Sequence, residues 1–200
     1  MGSNAVSSAA VSRIVGYILN KGNFATSSPN LPQSIAILAE ANDANQATMP
    51  TEGTLITSAQ QAGNLYGYGS PIYHIARILF PLQGGGISSI PVTVFAQETA
   101  DGSTTKIIEI TPSGTATADG THTLVVAGRE GLDAQFYDIN INAGDTTDDI
   151  TAKMEDAVNA ILGTPVIASS TDYEATFETK WSGLTANELS MSVNTNNNDL

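Results

Sequence analysis

Short apolar runs and helix-like periods alternate along the first hundred residues. The run "SIAILAE" is continuously apolar, which is typical of a parallel strand covered on both faces. The run "IPVTVFAQ" predicts a second strand, in which Val92 and Val94 alternate with Thr93 and Phe95. Between the two runs, "LITSAQQAGNLYG" predicts a short strand and then a helix capped by Ser58, and a second helical pattern follows. The order strand, two helices, strand predicts the opening of an α/β layer.

Glycines precede the second helix in "GNLYGYGSP" and raise the question of a phosphate-binding loop. A Walker loop needs a lysine for the outer phosphates, but none lies between Lys21 and Lys106. A dinucleotide fingerprint needs glycine where Ile72 stands. We therefore interpret the glycines as a structural corner, followed by Ser70 as helix cap and Pro71 at the first helical position. The predicted apolar face consists of Ile72, Ile75, Ala76, Ile78 and Leu79, and Pro81 ends the helix.

From about residue 100 the pattern changes to short strands separated by Gly, Asp and Thr turns. The segments "KIIEI", "HTLVVAG", "AQFYDININ" and "ELSMSV" each have strand length and strand composition. The segment "YEATFETKW" alternates strictly, so its apolar side chains share one face while Glu, Thr and Lys take the other. The members of that apolar face are Tyr173, Ala175, Phe177, Thr179 and Trp181.

One helix interrupts these strands at roughly residues 147–162, where apolar positions recur at helical spacing and a glycine and a proline follow. A helix among alternating strands predicts an α+β module that is mostly antiparallel, with one face in water. The apolar stripe of the helix comprises Ile150, Met154, Ala157, Val158, Ile161 and Leu162.

Near the N-terminus, "RIVGYIL" reads as a strand with apolar side chains on both faces, so it needs cover from elsewhere. The overall prediction is an α+β fold in three parts. Residues 1–24 form an extended N-terminal arm for strand exchange between subunits. Residues 25–99 form the first part of an α/β core domain, a partial layer, and residues 100–200 form an inserted, β-rich outer module.

Charge is unevenly distributed along the chain. The sequence has 20 acidic and 7 basic residues, a net charge of −13. Residues 1–39 contain Arg13 and Lys21 but no acidic residue, a charge of +2, so residues 40–200 carry −15. An acidic surface repels phosphate backbones, so we expect no nucleic-acid partner. No apolar run approaches the roughly 18 residues of a membrane span, so we expect no membrane insertion.

Candidate catalytic residues are few. The chain has no cysteine and two histidines, His74 and His122, which we interpret as structural, and it lacks the Gly-x-Ser-x-Gly signature of a serine hydrolase. The acidic cluster "GDTTDD" lacks the alternating ligands and terminal glutamate of an EF-hand, and its carboxylates instead suit the first turn of a helix. We therefore predict no enzyme, and no catalytic, cofactor or metal site.

Several segments, taken in order, resemble the tail sheath family of contractile, Mu-like bacteriophages. "LPQSIAILAE" is similar to the first core strand of that family, and "LITSAQQAGNLYGYGSPIYHIARILFP" to the element in which a Gly-Ser pair opens a helix. "GTATADGTHTLVVAG" resembles the start of the inserted β-rich module. "GDTTDDITAKMEDAVNAILGTPVIA" and "YEATFETKWSGLTANELSMSV" resemble the capped helix and the segment after it. The resemblance covers roughly residues 13–195.

The resemblance implies a structural subunit of a virion, assembled in the host cytoplasm. Sheath subunits polymerise as helically stacked sixfold rings around a tail tube, between baseplate and tail terminator proteins. Their contraction drives the tube through the host envelope for genome ejection. Family members run well past residue 200, so either this sequence is an N-terminal portion or part of the assembly surface is missing. In the family, terminal arms exchange strands between subunits; the matching residues here are Arg13, Ile14, Val15, Tyr17, Ile18, Leu19 and Lys21.

A carbohydrate-binding or adhesion β-domain is the alternative interpretation. An acidic module rich in Thr and Asn could present Trp181 as a platform on which a sugar stacks, because an aromatic face offers apolar area beside polar groups. The alternation in "YEATFETKW" favours a different role, in which Trp181 closes the β core beside Tyr173 and Phe177. Saturable sugar binding that is lost in Trp181→Ala would favour the carbohydrate-binding alternative.

Overall fold

The structure is a computed structural model that describes residues 33–84, 86–87, 90–128 and 134–193. The predicted arm, residues 1–24, and its strand at 13–19 lie outside the described residues. The described residues from Ser34 to Val193 belong to one compact unit.

The first half of this unit is a three-stranded sheet with two helices. The sheet contains β1 (Ile35–Glu40), β2 (Thr54–Ile56) and β3 (Val92–Gln97), in the order β1-β3-β2. Strands β1 and β3 are parallel, and β2 is antiparallel to β3. The helices α1 (Ala59–Tyr66) and α2 (Pro71–Leu79) lie between β2 and β3 in sequence. We call these five elements the layer.

The layer buries one face of its sheet against the helices. Ile37 and Ala39 of β1 and Val92 and Val94 of β3 are buried, together with Ile56, Ala62, Tyr66, Ile72 and Ala76. The opposite face differs from the prediction of a strand covered on both sides. Leu38 is 66% exposed, and its register partner Phe95 is 44% exposed.

Helix α2 begins as predicted. The Ser70 Oγ accepts a hydrogen bond from the Tyr73 N–H at 3.1 Å, and Pro71 occupies the first helical position. Ile72 and Ala76 are buried, but Ile78 is 70% exposed, so its predicted place on the buried face was wrong. The reason is geometric: six residues rotate a helix by about 240°, which carries Ile78 away from the line of Ile72.

The second half has six strands and two helices, which we call the module. Its strands are β4 (Ile107–Ile110), β5 (Gly120–Ala127), β6 (Gln135–Ile141), β7 (Val166–Thr171), β8 (Glu174–Thr179) and β9 (Ser190–Val193). They form two antiparallel sheets, in the orders β4-β8-β7 and β6-β5-β9. The helices are α3 (Thr147–Asn159) and α4 (Leu184–Asn187). The fold is therefore α+β with a β-rich antiparallel module, as predicted.

The module has its own hydrophobic core, formed by α3 and the inner faces of both sheets. Its buried members are Leu124, Val126, Tyr137, Ile139, Ile141, Ile150, Met154, Val158, Val166, Ala168, Ala175, Phe177, Trp181, Ala186 and Leu189. None of these residues belongs to the core of the layer. On the outer face of the β5–β6 pair, Thr121 and Thr123 donate to Asn140 and Asp138, which gives the predicted solvent-facing side.

Two details of the module correct the sequence prediction. Helix α3 ends at Asn159, so Ile161 and Leu162 follow the helix and are 46% and 65% exposed instead of continuing its stripe. Tyr173 lies in the turn between β7 and β8 and is 62% exposed, because the buried alternation begins only at Ala175.

Candidate functional site

The glycine corner singled out in the sequence lies where the layer meets the module. Gly67 and Gly69 have positive φ angles of 94° and 86°, which L-side chains rarely adopt. A Cβ added at Gly69 would lie 2.0 Å from the Thr164 carbonyl oxygen, and one at Gly67 would lie 2.3 Å from the Asn42 Nδ2. The protein's own atoms fill the space in front of both glycines, which accounts for them without any ligand.

The carbonyl oxygen of Tyr68, between these glycines, accepts two side-chain hydrogen bonds. Asn42 donates its Nδ2–H at 2.9 Å, and Lys180 of the module donates its Nζ–H at 3.3 Å. Lys180 also donates to the Leu162 carbonyl oxygen at 3.2 Å. Burial lowers the pKa of Lys180. A lysine from the module therefore joins two backbone carbonyls, one from each half.

Asp43 forms a second polar contact between the halves. Its carboxylate accepts hydrogen bonds from the Thr99 hydroxyl at 3.0 Å, the Ser182 N–H at 3.3 Å and the Ser182 hydroxyl at 2.5 Å. Its backbone N–H donates to the Lys180 carbonyl oxygen at 2.8 Å. Asp43 belongs to a 3-10 turn, Asp43–Asn45, shortly after β1.

Trp181 belongs to the core of the module and is 4% exposed. Its Nε1–H donates to the Thr185 Oγ1 at 3.0 Å, and the Thr185 hydroxyl donates to the Glu40 carboxylate at 2.9 Å. The indole is therefore part of a hydrogen-bond chain that ends on β1. The exposed stacking platform that the carbohydrate-binding alternative requires is not formed by this residue.

A cleft of about 430 Å³ adjoins this chain. Its lining includes Leu38 and Ile78, two of the exposed apolar residues of the layer, and the polar side chains of Glu40, His74 and Glu188. Among the described lining residues the single hydroxyl is that of Thr185, which already donates to Glu40. The cleft therefore brings carboxylates and an imidazole together beside an engaged hydroxyl.

The acidic cluster before α3 acts as a helix cap. The Thr146 Oγ1 accepts from the Asp149 N–H at 3.3 Å, and the Asp149 carboxylate accepts from the Thr146 N–H at 2.9 Å. Asp145 accepts from the Asn142 N–H at 2.7 Å and pairs with Lys153. The Thr146 backbone bond lowers the pKa of Asp149, and the hydrogen bond from Lys153 lowers that of Asp145.

The two histidines occupy different elements. His74 lies on α2 and lines the cleft, whereas His122 lies on β5 opposite Ile139. Over the described ranges, no group of three or more His, Cys, Asp or Glu side chains is arranged to hold a metal ion. None of the described helices is long and apolar enough to cross a membrane. The predicted arm residues, Arg13 to Lys21, lie outside the described residues.

Comparison with known proteins relates the chain to phage tails. No family model matches it. Over 143 residues it is 25% identical to the Mu-like prophage FluMu tail sheath protein of Haemophilus influenzae. The match covers 72% of this chain but 27% of that protein, so the chain spans about a quarter of its relative's length. The chain is thus distantly similar to a phage tail sheath protein.

Proposed function

We propose that the chain is part of a structural subunit of a contractile phage tail sheath. In this role it polymerises around the tail tube and contracts to drive the tube through the host envelope. The observation that carries the proposal is the 143-residue similarity to a tail sheath protein. The α+β fold with a β-rich, mostly antiparallel module is compatible with the proposal.

The partners follow from this role and are proposals as well. They are other copies of the chain in helically stacked sixfold rings, the tail tube protein, and the baseplate and tail terminator proteins. Residues 13–19 would form the arm that adds a strand to a sheet of a neighbouring subunit. Strand addition satisfies the backbone hydrogen-bonding groups of the arm, and pockets on the neighbour can bind every second side chain. The role is structural, so no substrate, cofactor or catalytic residue is proposed.

The carbohydrate-binding alternative rested on an exposed Trp181. Because Trp181 is 4% exposed and its Nε1–H is bonded within the protein, we do not propose that function.

Immunogold electron microscopy of phage particles tests the proposal. Antibodies raised against the full chain are expected to label tails along their whole length. The labelled length is expected to become shorter when the tails contract. Antibody pre-incubated with the purified chain provides the control. Label confined to fibres or to the tail tip would support an adhesin instead, and unlabelled tails would exclude a sheath role.

A further inference from the structure

Hydrogen bonds join the layer to the module, and each half has an apolar core of its own. The two cores share no residue among those described. Several of these bonds involve Asp43, in the 3-10 turn that follows β1, and Lys180 and Ser182, which follow β8 of the module. Polar contacts are directional, so such a joint fixes an orientation more strictly than apolar packing does.

We propose that Asp43 is the residue that fixes the orientation of the module on the layer. Its carboxylate is the acceptor for three donors, one from Thr99 at the end of the layer and two from Ser182. Hydrogen bonds to a charged acceptor are stronger than neutral ones. We call Asp43, Thr99, Lys180 and Ser182 the latch.

Lys180 completes the latch from the module side. Its backbone carbonyl accepts from the Asp43 N–H, and its ammonium group reaches the Tyr68 and Leu162 carbonyl oxygens. Separating the halves would break all of these hydrogen bonds together, and bonds to charged groups contribute more to stability than bonds between neutral groups. The latch therefore couples two cores that could otherwise open separately.

This coupling has a measurable consequence. With the latch intact, the amides of both cores exchange hydrogen through one shared opening of the chain. With the Asp43 carboxylate removed, the layer and the module open independently, while the strands of each half remain formed. The inference does not depend on the sheath role, since it concerns how the chain holds itself together.

Native-state hydrogen exchange followed by mass spectrometry tests this on the full chain. In Asp43→Ala, amides of one half, β1 with β3 or β5 with β8, are expected to exchange roughly tenfold faster or more, whereas those of the other half change less than about twofold. Asp43→Asn keeps the shape and one acceptor oxygen, so it should restore part of the coupling. Asp138→Ala is the control, because Asp138 accepts a hydrogen bond from Thr123 within one sheet of the module.

Equal acceleration of both halves in Asp43→Ala would overturn the proposal, and so would no acceleration in either half. If Asp43→Ala does not accumulate as a folded chain, Ser182→Ala removes a single donor of the latch and leaves the carboxylate in place. The same divergence between layer and module is then expected at a smaller magnitude. Its absence in Ser182→Ala would overturn the proposal equally.

Discussion

Gly69 and Thr164 approach each other more closely than any side chain at position 69 would allow. A Cβ there would lie 2.0 Å from the Thr164 carbonyl oxygen, and Thr164 itself is 2% exposed, held by a contact of 2.6 Å between its Oγ1 and the Tyr137 hydroxyl. Burial raises the pKa of the Tyr137 hydroxyl above its ordinary value. Gly69 therefore contacts the backbone of Thr164 directly, and Tyr137 holds Thr164 in place through its side chain.

Substitution of this glycine should cost more than positive φ alone explains. We expect Gly69→Ala to lower the free energy of unfolding by about 3 kcal/mol or more, because both φ strain and overlap with backbone apply. Gly102 is a matched control: its φ is +79° and nothing lies within 4 Å of an added Cβ. Gly102→Ala should cost about 1 kcal/mol. Urea unfolding midpoints measure both, and equal losses would contradict the overlap argument.

At the scale of elements, α3 begins with a reciprocal cap. Thr146 and Asp149 each satisfy a backbone N–H of the other, and Asp148 adds a second carboxylate to the first turn, at the positive end of the helix dipole. Since α3 covers the core of the module, its cap influences the stability of that whole half.

The cap makes stability depend on pH in a predictable direction. The folded-state pKa of Asp149 is lowered, so its contribution is present above the ordinary pKa of an aspartic acid and is lost as pH falls through the folded value. The free energies of unfolding of Asp149→Asn and of the unchanged chain should therefore differ most near neutral pH and become similar in acid. Asp101→Asn, in an exposed turn, is the control. A difference that stays constant with pH would contradict the assignment.

Local patterns predicted most elements, because their causes are local. Ser70 and Pro71 mark the start of α2 within three residues, and the alternation around Phe177 marks β8. The errors fell where burial depends on distant segments: Leu38 reads as a core residue but is exposed on the outer face of its sheet.

The latch could not be predicted from sequence for the same reason. Asp43 and Ser182 are 139 residues apart, and neither carries a local pattern that points to the other. The glycine corner was predicted as structural, but its partner Thr164 was not, since the need for glycine arises from the backbone of another segment. Lys180 read as a solvent-facing strand residue, and its role in the joint becomes visible only from its contacts.

At the scale of the whole molecule, the three lysines of the described part make polar contacts within the protein, whereas Arg77 is exposed on α2 and lies over the Tyr73 ring at 5.9 Å from its centroid. Lys106 donates to the Asn187 and Leu189 carbonyl oxygens, Lys153 pairs with Asp145, and Lys180 donates to backbone carbonyls. The surface is left mostly anionic, consistent with the charge of −15 over residues 40–200. Like-charged bodies repel, so assembly of identical copies needs a contact that overcomes this repulsion.

The N-terminal arm is the proposed source of that contact, and its charge can be tested. We expect Arg13→Glu combined with Lys21→Glu to slow assembly of the full chain by about tenfold at low ionic strength, and by less at physiological salt, because screening weakens attraction to the acidic body. Light scattering gives the rate, and electron microscopy shows whether rings or tubes form. Arg13→Lys with Lys21→Arg keeps the charge and should assemble normally.

Deleting residues 1–22 should leave a folded body that no longer links into rings; assembly of that truncated chain at the rate of the intact one would show that the arm is dispensable.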